Sequence, residues 1–177
     1  MYHRFAEILG RHAADVFKTM SGLQPDRLEI VEALPDDGPR YPMGVRVYFR
    51  GSDQSGFLCT GFFICAFETL EAAGDIAKTI AVKLGVEDTF SETLEGIDSV
   101  LGEFLNIVIG LTCSDWSDQG LVTEFNPPEP LVRYPQVTIS NDGLAFHLTM
   151  FSEGHPSVTF FLVLLPESAP VPSCPAF

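Results

Sequence analysis

The sequence predicts an α+β domain, in which an N-terminal helix and two long central helices pack over a largely antiparallel sheet. Segments with strand-like patterns come in two groups, and helix-like segments lie at the start of the chain and between those groups. No Gly/Ser-rich linker divides the 177 residues. Strands and helices in separate runs are typical of α+β folds. We therefore take residues 1–166 as a single domain and the proline-rich residues 167–177 as an extended or disordered tail.

Hydrophobic spacing predicts the first helix and the first group of strands. Tyr2–Met20 repeats apolar side chains at the 3.6-residue period of a helix, and Ser21-Gly22 ends it. Three strands are predicted next: Leu28–Leu34, Val45–Gly51 and Phe57–Phe67. Turn-forming residues separate them at 35–42 and 51–56. Phe57–Phe67 is apolar almost throughout, which predicts a central strand covered on both faces.

The middle of the chain predicts two helices in succession. Glu68–Leu84 has helical apolar spacing and ends at Gly85. Ser91, with Glu95 close behind, is the predicted N-cap of the next helix, which runs to about Cys113. Residues 114–120 are rich in Ser, Asp and Gly and are predicted to form a loop.

Strand patterns return in the last third of the chain. The predicted strands are Leu121–Phe125, Pro135–Ser140, Leu144–Phe151 and Ser157–Leu165, with a rigid Asn-Pro-Pro-Glu-Pro segment after the first. The Asn-Asp-Gly sequence at 141–143 predicts a hairpin turn, and residues 153–156 predict a second turn.

Composition and charge exclude several classes of function. The apolar share of 46%, with 15 phenylalanines, provides for a sizeable core. A formal net charge of −14 repels phosphate backbones and anionic membranes, so neither nucleic acid nor a membrane is an expected partner. The N-terminus lacks the uninterrupted apolar stretch of a secretory signal, and Val158–Leu165 is too short to span a bilayer as a helix. We expect a cytoplasmic protein.

Cysteines and histidines give no metal or redox motif. The four cysteines (59, 65, 113 and 174) include no CxxC pair, and buried free thiols are favoured over a disulfide. Cys59 and Cys65, six residues apart on one strand, should face the same side. The four histidines (3, 12, 147 and 155) are interpreted as scattered surface residues, so no bound metal is expected.

The helix that contains Asp98–Gly110 carries an unusual polar stripe. Ser99, Glu103, Asn106 and Gly110 fall within an arc of roughly 60°. The apolar side chains predicted to pack lie opposite: Ile97, Leu101, Phe104, Val108 and Leu111. A solvated face would explain the amphipathicity alone, but Asn and Gly are poor helix-interior residues, Gly costing ~1 kcal/mol relative to Ala. A flat face with one carboxylate and one carboxamide also suits docking against another macromolecule.

This stretch resembles the signature of the CheX/CheC chemotaxis phosphatases. In that family Ser or Asp, then Glu, then Asn lie on an exposed helix, and Ser99, Glu103 and Asn106 match, with Gly102 and Gly110 also agreeing. The resemblance covers about Phe57–Pro166, including the diproline segment after the helix. The residues before it agree only in the order of helix and strands.

The resemblance implies a fold, an activity and a partner. The fold would be CheC-like, and the activity would be removal of the phosphoryl group from the aspartate of a CheY-like response regulator. Asn106 would hold the attacking water, Glu103 would pair with the regulator's active-site lysine, and Ser99 and Gly110 would contact the regulator. The required Mg²⁺ would be bound by the regulator, with no cofactor on this chain. The family also implies a homodimer, which the apolar strand Ser157–Leu165 permits if its edges need cover.

Two departures from the family pattern limit what is implied. Leu105 stands where the family commonly has a small residue, and it could crowd an incoming regulator or be covered by a neighbouring strand. If it crowds, the chain would be a catalytically inactive binding module, or a domain that kept only the fold. In the preceding helix Gly74, three residues after Glu71, replaces the asparagine of a second site, so one site per chain is expected.

Other polar and aromatic residues near the stripe are interpreted as structural. Asp115, Asp118 and Glu124 are predicted to be surface acids of loop and strand. Trp116, the single tryptophan, is predicted to lie in the loop after the helix, where it caps the edge of the core or anchors a partner.

Overall fold

The computed structural model describes residues 2–33, 43–53, 58–132, 143–152 and 155–166. These ranges contain three helices: α1 (Tyr2–Ser21), α2 (Leu70–Leu84) and α3 (Leu94–Asp118). They also contain seven strands: β1 (Arg27–Ala33), β2 (Met43–Asp53), β3 (Leu58–Phe67), β4 (Leu121–Phe125), β5 (Glu129–Val132), β6 (Leu144–Ser152) and β7 (His155–Pro166). The predicted order of helices and strands is confirmed for these ranges except at β5, which forms where a rigid Asn-Pro-Pro-Glu-Pro segment was predicted.

All the strands pair antiparallel in one sheet, which confirms the predicted α+β class. The order across the sheet is β1-β6-β7-β3-β2-β4, and β5 also pairs with β2. Strands β4 and β5 therefore lie end to end along the outer edge of β2, at one margin of the sheet, and β1 forms the opposite edge. The apolar strand β7 is an interior strand between β6 and β3, so its edges do not need cover from a second chain.

Strand β3 has apolar side chains on both faces, and both faces are buried, as predicted. Cys59, Phe63, Cys65 and Phe67 belong to the large core cluster that includes the helices. The alternate residues Phe62, Ile64 and Ala66 belong to a second buried cluster with side chains of β6 and β7. The first set confirms that Cys59 and Cys65 face the same side, and both thiols are free. Period-two alternation of side chains separates the two sets.

Several boundaries differ from the predicted ones, and the end of α3 differs most. The helix continues to Asp118, where Gly120 closes the turn with a φ of 86°. Trp116 is consequently a helix residue, and its side chain is fully buried. The loop predicted for residues 114–120 was wrong because burial of Trp116 outweighs the weak helix preference of the Ser and Asp around it.

Some predicted features fall outside the described residues. These are the strand at Pro135–Ser140, residues 141 and 142 of the Asn-Asp-Gly turn, most of the turns at 35–42 and 51–56, residues 153–154, Cys174, and the tail at 167–177.

Helix α3 is the central helix of the domain. It contacts α1, α2, β2, β4 and β5. Among the described residues it is also the one helix long and apolar enough to cross a membrane, with an 18-residue window of mean hydropathy 1.4. More than half of that window, 56%, is buried, as is usual for a helix in a protein core.

Candidate functional site

The start of α3 is fixed by a cap and by a close backbone contact. The Thr93 hydroxyl accepts a hydrogen bond from the Gly96 backbone N–H at 3.3 Å, so Thr93, and not the predicted Ser91, is the N-cap. Ser91 instead exchanges a hydrogen bond of 2.8 Å with the Thr93 hydroxyl. A Cβ at Gly96 would lie 2.2 Å from the Ser91 carbonyl oxygen, so only glycine allows this approach. These contacts fix the residue at which α3 begins.

The predicted stripe lies on the uncovered face of α3. Ser99, Glu103 and Gly110 are exposed, and Asn106 is partly exposed. Within the described ranges the side chains of Ser99, Glu103 and Asn106 make no hydrogen bond or ion pair. The carboxylate and the carboxamide are therefore available to groups outside the chain.

The side chain of Leu105 is fully buried. It is 0% exposed and belongs to the main core cluster with Leu101, Phe104 and Val108. Of the two alternatives for this residue, crowding is excluded and cover by neighbouring elements is correct. The described fold leaves the approach to Asn106 unobstructed by Leu105.

The apolar side of α3 is not fully covered at its margin. Ile97, Leu101, Phe104 and Val108 are buried as predicted, whereas Leu111 is 44% exposed. Leu111 follows Gly110 by about 100° around the helix and lies at the margin of the apolar arc. The expectation that it packs into the core was therefore wrong.

Gly110 has no packing reason to be glycine in the described structure. A Cβ added there would meet no atom within 4 Å, and its φ is not in the left-handed region. A helix-interior glycine costs ~1 kcal/mol relative to alanine. The bare backbone at this point keeps the surface flat, and no contact within the described fold explains it.

The other acidic residues and the histidines form structural contacts or none. Asp115 is a helix residue, and its Oδ2 accepts a hydrogen bond from Arg11 and lies 3.0 Å from Nε2 of His12. His12 is largely buried, with 16% of its side chain exposed, so interpreting it as a surface residue was wrong. Asp118 and Glu124 are exposed as predicted. A polar cleft of about 420 Å³ beside Arg11 and Asp115 does not include the stripe.

Trp116 closes the core and does not face a partner. Its ring stacks on Phe63 with centroids 5.4 Å apart, and its Nε1 donates a hydrogen bond of 3.3 Å to the Phe5 carbonyl. The core role was predicted correctly although the loop position was not.

Asp98 is a partly buried acidic residue beside the stripe that the sequence interpretation passed over. It precedes Ser99, and its Oδ1 is inaccessible to solvent and has no hydrogen-bond partner among the described residues. Burial raises the pKa of the Asp98 carboxyl above its usual range. The one sign of this burial in the sequence is the angle of Asp98 on the helix, which points away from the stripe and toward the covered side.

Replacing Asp98 by asparagine should change how stability depends on pH. The raised pKa means that the folded chain holds this proton at pH values where the unfolded chain has lost it, so this carboxyl lowers stability as pH rises. We expect Asp98→Asn to melt above the wild type at neutral pH, with the difference closing toward pH ~3. Thermal unfolding by circular dichroism at a series of pH values measures this. A difference that does not change with pH would contradict the assignment.

Among the described residues, no three His, Cys, Asp or Glu side chains come together as ligands for a metal ion.

Comparison with known structures identifies the fold. A crystal structure of the chemotaxis protein CheX from Desulfovibrio desulfuricans matches with a TM-score of 0.68 over 91% of this chain and 99% of that one. The domain has the CheC-like fold. A CheC-like superfamily protein from Shewanella sp. PV-4 matches this CheC-like domain with a TM-score of 0.64 over 90% of this chain and 96% of that one.

A third similar structure is a complex. It contains CheX, CheY, BeF3 and Mg²⁺ from Borrelia burgdorferi and matches the CheC-like domain with a TM-score of 0.66, over 91% of this chain and 97% of that one. Sequence identity is low throughout, at 16%, 17% and 16% for the three in the order given. No protein-family model and no curated protein sequence matches the chain.

Proposed function

We propose that this protein removes the phosphoryl group from the aspartate of a CheY-like response regulator, with Asn106 and Glu103 as its catalytic pair. The observation that carries the proposal is that Glu103 and Asn106, on the uncovered face of α3, have no partner among the described residues, while Leu105 is withdrawn into the core. The complex of CheX with CheY that shares the fold supports a regulator as the partner.

The chemistry requires positioning more than a strong base. Aspartyl phosphate is hydrolysed when a water oxygen bonds to phosphorus as the bond from phosphorus to the aspartate oxygen breaks. The products are inorganic phosphate, which keeps the protons of the water, and a free carboxylate. The Asn106 carboxamide has both an acceptor and a donor, so it can orient the water in line with the breaking bond. Mg²⁺ on the regulator would neutralise charge on the phosphoryl oxygens.

Glu103 would fix the helix in the regulator's phosphorylation site. Its exposed carboxylate is one turn from Asn106 and can pair with a lysine of the regulator. Ser99 and Gly110, at the two ends of the stripe, would touch the rim of that site. The bare Gly110 lets the regulator approach the helix closely, which accounts for a glycine that the described fold itself does not need.

The test is the rate of phosphate loss from a phosphorylated receiver domain with and without the wild-type chain. Acceleration supports the proposal, and an unchanged rate despite measurable binding would identify the chain as a CheX-like binding module without activity. The binding module is the second candidate function, since the exposed stripe serves docking in either case. The cytoplasmic location expected from the sequence belongs to this proposal, because the regulator would act there.

Reversing the charge of Glu103 should weaken regulator binding. Glu103→Lys places a cation against the regulator's lysine, and we expect the Kd to rise at least tenfold, about 1.4 kcal/mol. Titration calorimetry at two salt concentrations measures the effect, which should shrink at high salt. Glu95→Lys, exposed two turns earlier on the same helix, is the matched control. Equal losses for both variants would show that net charge, and not the Glu103 contact, governs binding.

Homodimerisation is also proposed, from the resemblance alone. The described sheet offers its edges at β1 and along β4 and β5 for pairing with a second chain. Sedimentation equilibrium distinguishes a dimer from a monomer of 19.4 kDa.

A further inference from the structure

Two half-exposed apolar side chains lie on opposite sides of the polar stripe. Leu111 on α3 is 44% exposed, and Phe125 at the end of β4 is 41% exposed. Neither is needed to fill the core. We propose that Leu111 and Phe125 are the apolar anchors that give affinity for the regulator's receiver domain. This inference rests on the proposed function, in which Glu103 and Asn106 act on the regulator's phosphorylation site.

Phe125 is placed beside the stripe by the path of the chain after α3. It pairs in register with Phe49, which belongs to the main core, so Phe125 lies on the face of the sheet that α3 covers. Two residues before it, Thr123 adjoins Cys113 of α3. Three residues after it, Pro128 lies 3.5 Å from the position of a Cβ on Gly102. Phe125 is therefore held alongside the helix between Cys113 and Gly102, next to the turn that contains Asn106.

Leu111 lies on the other side of the stripe. On the helix wheel Gly102 is about 40° from Asn106 on one side, whereas Leu111 is about 140° from Asn106 on the other. Leu111 is five residues beyond Asn106, which is ~7.5 Å along the axis. The polar stripe is thus bordered by an aromatic ring on one side and a branched aliphatic side chain on the other.

A stable interface around the stripe is large enough to extend over its two flanks. A specific complex buries ~800 Å² on each partner, equivalent to a circle of radius ~16 Å. A partner surface of that size, centred on Glu103 and Asn106, extends past the helix on both sides, toward Leu111 and Phe125. Burial of their exposed apolar surface favours association, whereas exposed polar pairs contribute little net affinity.

Charge favours a receiver domain with a basic group over a second copy of this chain. Helix α3 has five acidic residues and no basic one across its 25 residues. Two such faces would place carboxylates against each other, in chains that each have a formal charge of −14. An occupant that brings a lysine to Glu103 and apolar surface to the two flanks has complementary chemistry.

The experiment measures affinity and turnover separately. The probe for affinity is a CheY-like receiver domain with beryllofluoride and Mg²⁺ bound as a mimic of the phosphoryl group, titrated into the full chain with Leu111→Ala, Phe125→Ala or both. We expect each single change to raise the Kd about fivefold and the pair about 25-fold, since the two sites are separate. The rate of dephosphorylation at saturating regulator should stay within about twofold of wild type. Val82→Ala, 56% exposed on the last turn of α2, is the matched control and should leave the Kd unchanged.

The outcomes separate this inference from the proposed function. Wild-type Kd values for the Leu111 and Phe125 variants, or an equal loss for Val82→Ala, overturn the anchors even where dephosphorylation is fast. A raised Kd for both variants with no dephosphorylation by wild type supports the anchors and removes the phosphatase. A wild-type chain that binds no receiver domain overturns both.

Discussion

Asn106→Ala is expected to reduce catalysed dephosphorylation of the regulator about 100-fold or more. The side chain is the one carboxamide on the stripe, and it has no partner within the described part of the chain. Removing it leaves the attacking water unoriented, and a misplacement of ~1 Å in a reacting group costs on the order of 10²-fold in rate. The measurement is phosphate release from a phosphorylated receiver domain at saturating concentration, so that the change appears in kcat.

The fold should be unaffected by this change, which makes the result interpretable. Asn106 is partly exposed and alanine is the best helix former, so Asn106→Ala should melt at or slightly above the wild-type temperature. Binding of the regulator should persist, because Glu103 and the apolar flanks remain. Asn106→Gln keeps the amide but moves it by one methylene, and it should recover little of the rate. Equal turnover by Asn106→Ala and wild type would remove Asn106 from the mechanism.

Much of the candidate site could be predicted from local sequence, because amphipathic periodicity fixes which side of a helix faces the core. The exposed positions of Ser99, Glu103 and Gly110 follow from that periodicity alone. The burial of Leu105 does not follow from periodicity. The angle of a residue on a helical wheel does not show how far around the helix the neighbouring elements extend. The cover beside α3 comes from distant residues such as Pro128, which lies 3.5 Å from the Cβ position of Gly102.

Long-range contacts also explain the two clearest errors. His12 was interpreted as a surface residue because Asp115, the partner that holds it in its largely buried position, is 103 positions further along the chain. The Ser-Asp-Trp-Ser-Asp sequence was interpreted as a loop because those polar residues favour turns when considered alone. Burial of Trp116 against Phe5 and Phe63 compensates for that preference and extends α3 by more than one turn. Neither contact leaves a signal in a window of neighbouring residues.

Trp116→Ala is expected to cost about 4 kcal/mol in the free energy of unfolding, the largest stability effect of a single change proposed for this chain. The indole is 0% exposed and packs against three aromatic rings, with centroid distances of 5.2 Å to Phe5, 5.6 Å to Phe49 and 5.4 Å to Phe63. Its removal leaves a cavity where α1, α3 and the sheet meet. It also leaves the Phe5 carbonyl without the indole N–H that now donates to it.

Graded substitutions separate the cavity from the hydrogen bond. Trp116→Phe keeps an aromatic ring and loses the N–H, so it should cost only about 1–2 kcal/mol. Leu111→Ala, half-exposed on the same helix, should cost less than about 1 kcal/mol and serves as the matched control. Denaturant unfolding followed by circular dichroism gives all three values, since the sole tryptophan cannot report on its own removal. A loss for Trp116→Ala no larger than that for Leu111→Ala would mean that the indole does not anchor the end of α3. The helix that presents Asn106 would then be held by its N-terminal cap and by its other buried side chains, from Ile97 to Cys113.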